Sequence, residues 1–317
     1  MEARRADAAR ADPVRGAMWM VGSCVFFALL TALIRYLSRT IDPLEIIFFR
    51  NLFGMVVMLP WLWRHGLGTL RTRRLWLYAL RALIGLAAMI AWFQAVARMN
   101  LADAVALSFT APLFATVVAV FLLREVVRLR RWVAVGTGFL GAMVILRPGF
   151  EAVPPEAVYV LFSAAMMGIA VSLVKMLART EATAPIVFYM VLMLTPASAI
   201  PALFVWKTPA PEEFLWLLAL GATATLGHLC LVRAFACADA TAVLPFDFVR
   251  LPIIALIGYL AFDQKVDGWT ALGAAIIIAA SVYIAHREAA ANRRALVVPP
   301  PRPDPVPPPP LRRPPGG

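Results

Sequence analysis

LADAVALSFTAPLF at residues 101–114 recurs in altered form as ADATAVLPFDFVRLP at residues 238–252. The shared Ala-Asp-Ala run fixes an offset of 136 residues, and a gap of one residue then aligns Trp132 with Trp269. The chain therefore contains an internal duplication. This duplication decides the fold, because both copies must contain the same number of elements.

Ten apolar segments surround and include these two stretches. The chain has 317 residues, of which 62% are apolar and 15% charged, and its mean hydropathy is +0.79. A soluble chain of this size could not cover so many apolar side chains. A helix needs roughly 20 residues to cross a bilayer core, whereas open strands leave backbone groups unbonded in lipid. We therefore expect an all-α polytopic membrane protein with ten transmembrane helices, at residues 17–37, 44–63, 75–96, 102–123, 132–147, 157–175, 185–206, 213–234, 241–262 and 269–286.

Basic residues are distributed unequally between the two sides of this predicted bundle. The net charge is +12, and most arginines cluster in the termini and in alternate short connections, whereas the other connections carry one basic residue each. Basic clusters favour the cytoplasmic side of a membrane, so both termini are expected in the cytoplasm. The positive net charge is therefore explained by basic residues that orient the protein in the lipid bilayer. No nucleic-acid partner is expected.

Each copy contains five helices, and five is an odd number. The second copy therefore enters the membrane from the opposite side, which makes the duplication an inverted repeat of the kind that supports alternating access. A stable bundle without transport activity is the alternative reading of the duplication. The expected organisation is a cytoplasmic N-terminal segment at 1–16, a first repeat at 17–148, a second repeat at 157–286 and a disordered proline-rich cytoplasmic tail at 287–317.

Prolines interrupt corresponding helices of the two repeats. Pro112 lies in the fourth predicted helix, and Pro245 and Pro252 lie in the ninth. Broken helices at matching positions point to the binding site of a transporter, whereas a single proline is equally consistent with an ordinary kink. The pairing favours the binding-site interpretation.

An ionisable side chain near the middle of a spanning helix costs about 2.5–3.5 kcal/mol on insertion scales, so each one needs an explanation. Asp247 and Arg250 are three residues apart and share one helical face, where they can pair. One interpretation is a purely structural ion pair. The other places both residues in a central cavity, where Arg250 holds an anionic substrate group and Asp247 exchanges a proton with the solvent.

Further polar residues lie within the predicted spans. Arg50 and Arg81 each lie about six residues inside a helix and are candidate substrate contacts, although Arg81 could instead extend to the headgroups. Asp103 and Asp239 are interpreted as helix N-caps. Interhelical hydrogen bonds are the simpler explanation for the neutral polar residues, which are Gln94, Thr110, His228 and Ser281. Packing is the simpler explanation for the aromatic residues, which are Trp92, Phe93, Phe246 and Phe248.

The sequence contains no sign of catalytic or metal chemistry. It lacks a histidine cluster, paired catalytic carboxylates, a glycine-rich phosphate loop and an activated nucleophile. Cys24, Cys230 and Cys237 fall in or at the ends of predicted spans without metal-ligand spacing. We expect no enzyme activity, no cofactor and no bound metal.

Several motifs resemble the EamA-type branch of the drug/metabolite transporter superfamily. They include NLADAVALSFTAPLF, FLLREVVRLRRW, GTGFLGAMVILRPG and DQKVDGWTALGAAIIIAASVYI, together with ADATAVLPFDFVRLP. The resemblance implies a ten-helix secondary carrier of the bacterial inner membrane. IIFFRNLFG around Arg50 and LRALIGLAAMIAWF around Arg81 are similar to a group that includes S-adenosylmethionine uptake carriers.

The expected function is secondary active transport of a small polar metabolite, such as an amino acid or an amino-acid derivative. The expected site comprises Arg50, Arg81, Gln94, Pro112, Pro245, Asp247 and Arg250, with Asp247 as the proton-coupling group. The alternatives are a membrane scaffold or channel that recruits partners through the proline-rich tail, an exporter of toxic metabolites or drugs, and a lipid-modifying enzyme. A proton as coupling ion and a homodimer stay open at this stage.

Overall fold

In the computed structural model, the described residues are 13–65, 74–123, 129–147, 153–177, 183–237 and 243–297. Every regular element within these ranges is helical. The helices are α1 (Pro13–Leu37), α2 (Pro43–His65), α3 (Leu75–Arg98), α4 (Leu101–Ser108), α5 (Ala111–Leu123), α6 (Leu129–Leu146), α7 (Pro155–Leu177), α8 (Thr183–Leu203), α9 (Pro211–Cys237), a 3-10 helix (Leu244–Val249), α10 (Arg250–Phe262) and α11 (Gly268–Val297).

Most of these helices have the apolar character that a bilayer requires. Within the described ranges, six segments are long and apolar enough to cross a membrane, and three shorter apolar helices accompany them. The prediction of an all-helical, multi-pass membrane protein is therefore supported, whereas the count of ten spans stays a prediction.

The first helix begins earlier, and the last helix ends later, than the sequence predicts. The first helix begins at Pro13 rather than at residue 17, and proline is favoured in the first turn because its missing N–H would have no partner there. The last helix continues to Val297, so the predicted disorder is wrong for residues 287–297. Ala and Arg make up seven of these eleven residues, and both favour helix. The rest of the proline-rich tail, residues 298–317, lies outside the described residues.

The fourth predicted span is divided at Phe109 and Thr110. The Phe109 N–H donates to the carbonyl of Ala106 at 3.2 Å, and the Thr110 N–H donates to that of Leu107 at 3.0 Å, so the turn tightens to three-residue bonds. Pro112 has no N–H and cannot continue the α-helical ladder. The helix resumes at Ala111 as α5.

The ninth predicted span is divided in the corresponding region. Pro245 lies in the first turn of a 3-10 helix, and α10 then begins at Arg250. Pro252 falls in the first turn of α10, where a missing N–H is tolerated. Both predicted interruptions are therefore present in the structure.

The helix cap expected at Asp103 is wrong. The N-cap of α4 is Asn100, whose side chain accepts a hydrogen bond from the Ala102 N–H at 3.0 Å. Asp103 lies in the first turn of the helix and accepts a hydrogen bond from the Thr270 hydroxyl at 2.6 Å, so it joins the two repeats instead. Asp239, the second expected cap, lies outside the described residues.

Polar contacts between connections hold one end of the bundle, which we call the bonded end. Arg147, after α6, forms a salt bridge with Asp267, before α11, at 2.9 Å. The Asn100 side chain donates to the carbonyl of Lys265 at 3.2 Å, and the Leu101 N–H donates to the Gln264 side chain at 3.0 Å. Each contact joins the first repeat to the connection that leads into α11.

The largest buried apolar cluster contains side chains from both repeats. Representative members are Ile34 of α1, Val96 of α3, Leu220 of α9, Ile254 of α10 and Ile277 of α11. Because lipid supplies little hydrophobic drive between helices, close packing of such side chains is what holds them together. The two repeats therefore form one packed body rather than two separate ones.

The last helices of the two repeats, α6 and α11, approach closely at a pair of glycines. A Cβ placed on Gly273 would lie 2.5 Å from the carbonyl oxygen of Gly141, and one placed on Gly141 would lie 2.8 Å from that of Gly273. Small residues permit such backbone contact between helices in membranes. No side chain fits at either position without separating the helices.

We expect Gly273→Ala to destabilise the protein by about 1–3 kcal/mol, the usual cost of overpacking. The measurement is the thermal unfolding midpoint of the purified protein in detergent. Gly268→Ala, on the same helix, is the matched control, because nothing lies within 4 Å of its added Cβ. Equal midpoints for the two variants would contradict the proposed contact.

Candidate functional site

The interruptions of the two repeats meet in the interior. The guanidinium carbon of Arg250, at the start of α10, lies 5.2 Å from the ring centroid of Phe109, at the end of α4. The ring of Phe248 meets that of Phe109 edge-on, with centroids 4.9 Å apart. The broken part of one repeat thus packs directly on the broken part of the other.

At each interruption, a side chain of the other repeat contacts a backbone carbonyl. The Ser281 hydroxyl of α11 donates to the carbonyl of Phe109 at 3.2 Å. The Cys24 thiol of α1 contacts the carbonyls of Phe246 and Asp247 at 3.4 and 3.5 Å. These contacts reduce the cost of unbonded backbone groups in a low-dielectric interior.

Two adjoining cavities lie at this meeting point. The larger, of about 560 Å³, includes Pro112, Pro245, Asp247 and Arg250 in its wall. The smaller, of about 420 Å³, includes Arg50, Arg81 and Arg250. Residues that line both cavities are Ser108, Ala111, Met167 and Arg250. Arg250 is therefore the charged residue common to the two spaces.

The larger cavity extends away from the bonded end. Its wall includes Phe235 in the last turn of α9 and His286 in the second half of α11, and both positions lie toward the opposite end of the bundle. The interior space is therefore nearer to that end.

Asp247 and Arg250 form the pair that their spacing predicts. The Arg250 Nη2 lies 3.8 Å from Asp247 Oδ2, and both side chains are partly exposed, to 22% and 29%. The Cys24 sulfur lies 3.8 Å from Asp247 Oδ1. At this distance the pair is a loose ion contact rather than a short charge-assisted hydrogen bond.

Arg50 and Arg81 reach the smaller cavity from α2 and α3. The Arg50 guanidinium donates to the Asn51 side-chain oxygen at 2.9 Å, and the Asn51 amide donates in turn to the Ser198 hydroxyl at 3.2 Å. Arg81 extends along its own helix over Gly85, where an added Cβ would overlap its Nη1. Its Nε is buried and has no hydrogen-bond partner among the described residues.

His228 on α9 also lines the smaller cavity. Its Nδ1 lies 2.8 Å from the Ala224 carbonyl oxygen one turn earlier, and its ring meets that of Phe27 edge-on at 5.0 Å. A carbonyl oxygen accepts only, so Nδ1 must carry a proton and Nε2 is the nitrogen that can accept one. The expected interhelical hydrogen bond is replaced by this contact within α9.

The structure brings together six of the seven candidate site residues. Gln94 is the exception, because it lines neither cavity. Phe109 and Ser108 were not singled out in the sequence, although hydroxyl residues on both sides of Phe109, just before a proline, are the available signal. Trp92, Phe93 and Phe248, expected as packing residues, line the cavities. Within the described ranges, no group of three or more His, Cys, Asp or Glu residues could hold a metal ion.

Comparison with known proteins identifies a family model that matches most of the chain. The model of the EamA-like transporter family matches residues 14–147 and 155–285. The two matched ranges correspond to the two copies of the duplication.

Individual relatives have different printed substrates. The chain is 32% identical to an S-adenosylmethionine uptake transporter of Rickettsia felis, over 86% of this chain and 93% of the relative. It is 33% identical to a riboflavin transporter of Vibrio cholerae, over 87% and 94% of the two chains. It is 28% identical to the pseudopaline exporter CntI of Pseudomonas aeruginosa, over 85% and 95%. The relatives thus include transporters named for uptake and one named for export.

We expect Ser281→Ala to destabilise the protein by about 0.6 kcal/mol, the average for an interhelical hydrogen bond in a membrane protein, because it leaves the Phe109 carbonyl unbonded. Ser172→Ala is the matched control, since Ser172 is equally buried but donates to Gly168 of its own helix. Both are measured as free energies of unfolding in mixed micelles. A loss in the control as large as in Ser281→Ala would contradict the cross-repeat bond.

Proposed function

The chain belongs to the EamA-like transporter family, and we propose that it is a secondary carrier that moves a small polar metabolite by alternating access around one central site. As a family member it is a multi-pass membrane transporter and not an enzyme. The observation that carries the proposal is the meeting of the two interrupted segments at Arg250, where the two cavities adjoin. Discontinuous helices near the midplane are where carriers of inverted-repeat architecture bind their substrates.

The proposed cycle opens the two ends of the bundle in turn. We assign the bonded end to the outside of the bacterial inner membrane and both termini to the cytoplasm, because the connections at the bonded end carry isolated basic residues. The larger cavity lies toward the opposite end. The structure would then correspond to the cytoplasm-facing state, and outward opening would require the bonded end to separate.

The proposed substrate contacts are Arg50, Arg81 and Arg250, which present guanidinium groups to the cavities. Such groups bind carboxylates by charge-assisted hydrogen bonds. The loose contact at 3.8 Å allows a substrate carboxylate to replace Asp247 as the partner of Arg250. We assign proton exchange to Asp247, because it is the Asp or Glu found among the described residues that line the two cavities. Substrate binding and protonation would thereby be coupled.

Export is the second candidate direction of net transport, and the similarity to a protein named as an exporter favours it. The same site serves both directions, because a coupled carrier follows whichever combined gradient is larger. Uptake and counterflow assays on one preparation separate the two directions.

For the transport test, we expect proteoliposomes with the wild-type protein to take up at least one compound saturably from a panel of S-adenosylmethionine, riboflavin, the amino acids and ring-bearing organic acids. Arg250→Ala should lower the initial rate at least tenfold, because it removes the charge shared by both cavities. Asp247→Asn should abolish the dependence of the rate on a proton gradient. Wild-type rates and proton dependence in both variants would contradict the site assignment.

Asp263→Asn is the control for that assay. Asp263 follows α10 with a left-handed backbone, φ 53°, which asparagine also adopts readily. It lies in the connection after Phe262 and lines neither cavity. The transport rate of the Asp263→Asn variant should equal that of the wild type. Deleting residues 298–317 should likewise preserve transport, whereas a tail-dependent scaffold would lose its function.

We also expect Asp267→Asn to loosen the bonded end, because it removes the salt bridge to Arg147. Hydrogen–deuterium exchange of the peptide that covers residues 263–270 measures this opening. Exchange should be several-fold faster in Asp267→Asn than in the wild type and unchanged in Asp263→Asn. Equal exchange in all three proteins would show that this salt bridge does not restrain the end.

A further inference from the structure

The smaller cavity has a pronounced excess of positive charge. Arg50, Arg81 and Arg250 line it, and no Asp or Glu belongs to its wall within the described part of the chain. Asp247, which lies in the wall of the adjoining cavity, pairs with Arg250 alone. Two of the three guanidinium groups therefore face this space without a carboxylate partner among the described residues.

The three guanidinium groups of the smaller cavity have few hydrogen-bond acceptors within the protein. Arg50 has the neutral oxygen of Asn51, at 2.9 Å. The Nε of Arg81 and that of Arg250 are buried without a hydrogen-bond partner in the described ranges. A buried donor without a partner costs free energy, and a charged donor costs more. An anion from outside the protein would supply the partners that these guanidinium groups lack among the described residues.

Most of the remaining wall is apolar and part of it is aromatic, and its polar members are Thr31, Ser108, Ser163 and His228. Trp92 and Phe93 of α3 and Phe27 and Leu30 of α1 line the same cavity as the guanidinium groups. Such a wall excludes water and offers flat surfaces on which a ring can pack. The cavity, of about 420 Å³, has room for a drug-sized or smaller molecule.

We infer that the substrate of the proposed carrier is an organic acid of net negative charge, in which one or two carboxylate or phosphate groups are attached to an apolar, ring-bearing body. This inference rests on the proposed transport function and specifies its substrate class. The acidic groups bind between Arg50, Arg81 and Arg250, and the body packs against the aromatic wall. A cationic ligand, such as the sulfonium of S-adenosylmethionine, is disfavoured because it adds positive charge to the same space.

Matched pairs of ligands that differ mainly in charge test this inference. The pairs are indole-3-acetate and indole-3-acetamide, riboflavin 5′-phosphate and riboflavin, and S-adenosylhomocysteine and S-adenosylmethionine. Binding is measured by titration calorimetry on the protein in nanodiscs, at low and high salt. We expect the more negative member of each pair that binds to have at least a tenfold lower Kd, with a smaller difference at high salt.

A pair of glycine variants tests whether the position of the Arg81 guanidinium matters when its charge is retained. Gly85→Ala keeps all three arginines but displaces the Arg81 guanidinium, because the added Cβ would overlap Nη1. Gly54→Ala, one turn after Arg50, has nothing within 4 Å of its added Cβ and is the control. The preference for the acid should fall several-fold in Gly85→Ala and in Arg81→Gln, and should stay at the wild-type value in Gly54→Ala.

The outcomes distinguish this inference from the proposed function. Equal or tighter binding of the neutral or cationic members, or no binding by any of the six compounds, would overturn the inferred substrate class. Saturable uptake of S-adenosylmethionine or riboflavin into proteoliposomes, together with that result, would retain the carrier and reject the anionic substrate. No saturable uptake of any of the six compounds or of the amino acids would overturn both the carrier function and the anionic substrate.

Discussion

A helix inside a bilayer can be interrupted only where other groups bond the backbone atoms that the interruption frees. In hydrocarbon, each unbonded N–H or carbonyl costs several kcal/mol. In this protein the required donors are exchanged between the repeats, since Ser281 serves the first interruption and Cys24 serves the second. Each interrupted segment is therefore held in part by a side chain of the other repeat.

The same exchange explains why charge is concentrated at the centre. Broken segments keep polar backbone close to the cavities, and polar surroundings lower the cost of holding guanidinium groups there. Arg250 lies at the first residue of α10, immediately after the 3-10 helix, and contacts both Asp247 and the Phe109 ring. Arg250 therefore contacts a carboxylate of its own repeat and the interrupted segment of the other repeat. A movement that separates the two segments would also change the partners of this side chain.

The sequence was most informative about features with a long period and least informative about those that depend on three-dimensional proximity. The duplication, the helical class, both proline interruptions and the pairing of Asp247 with Arg250 follow from spacing alone, and the structure contains all four. The function of Asp103 was misjudged because capping is a local rule, whereas its partner Thr270 is 167 positions away. Gln94 is a candidate only because of its polarity, and it lines neither cavity. The seven expected residues thus include the Asp and Arg side chains that line the two cavities, whereas most of the wall was not expected.

The glycine contact between α6 and α11 also has a consequence for biosynthesis. A ribosome makes α6 more than a hundred residues before α11, so Gly141 enters the membrane long before Gly273 exists. Until then, the face of α6 around Gly141 lacks the helix that it contacts in the complete structure. The first repeat therefore reaches its final packing only when the last helix has been inserted. Assembly of this bundle is completed from its C-terminal end, although its two halves are copies of each other.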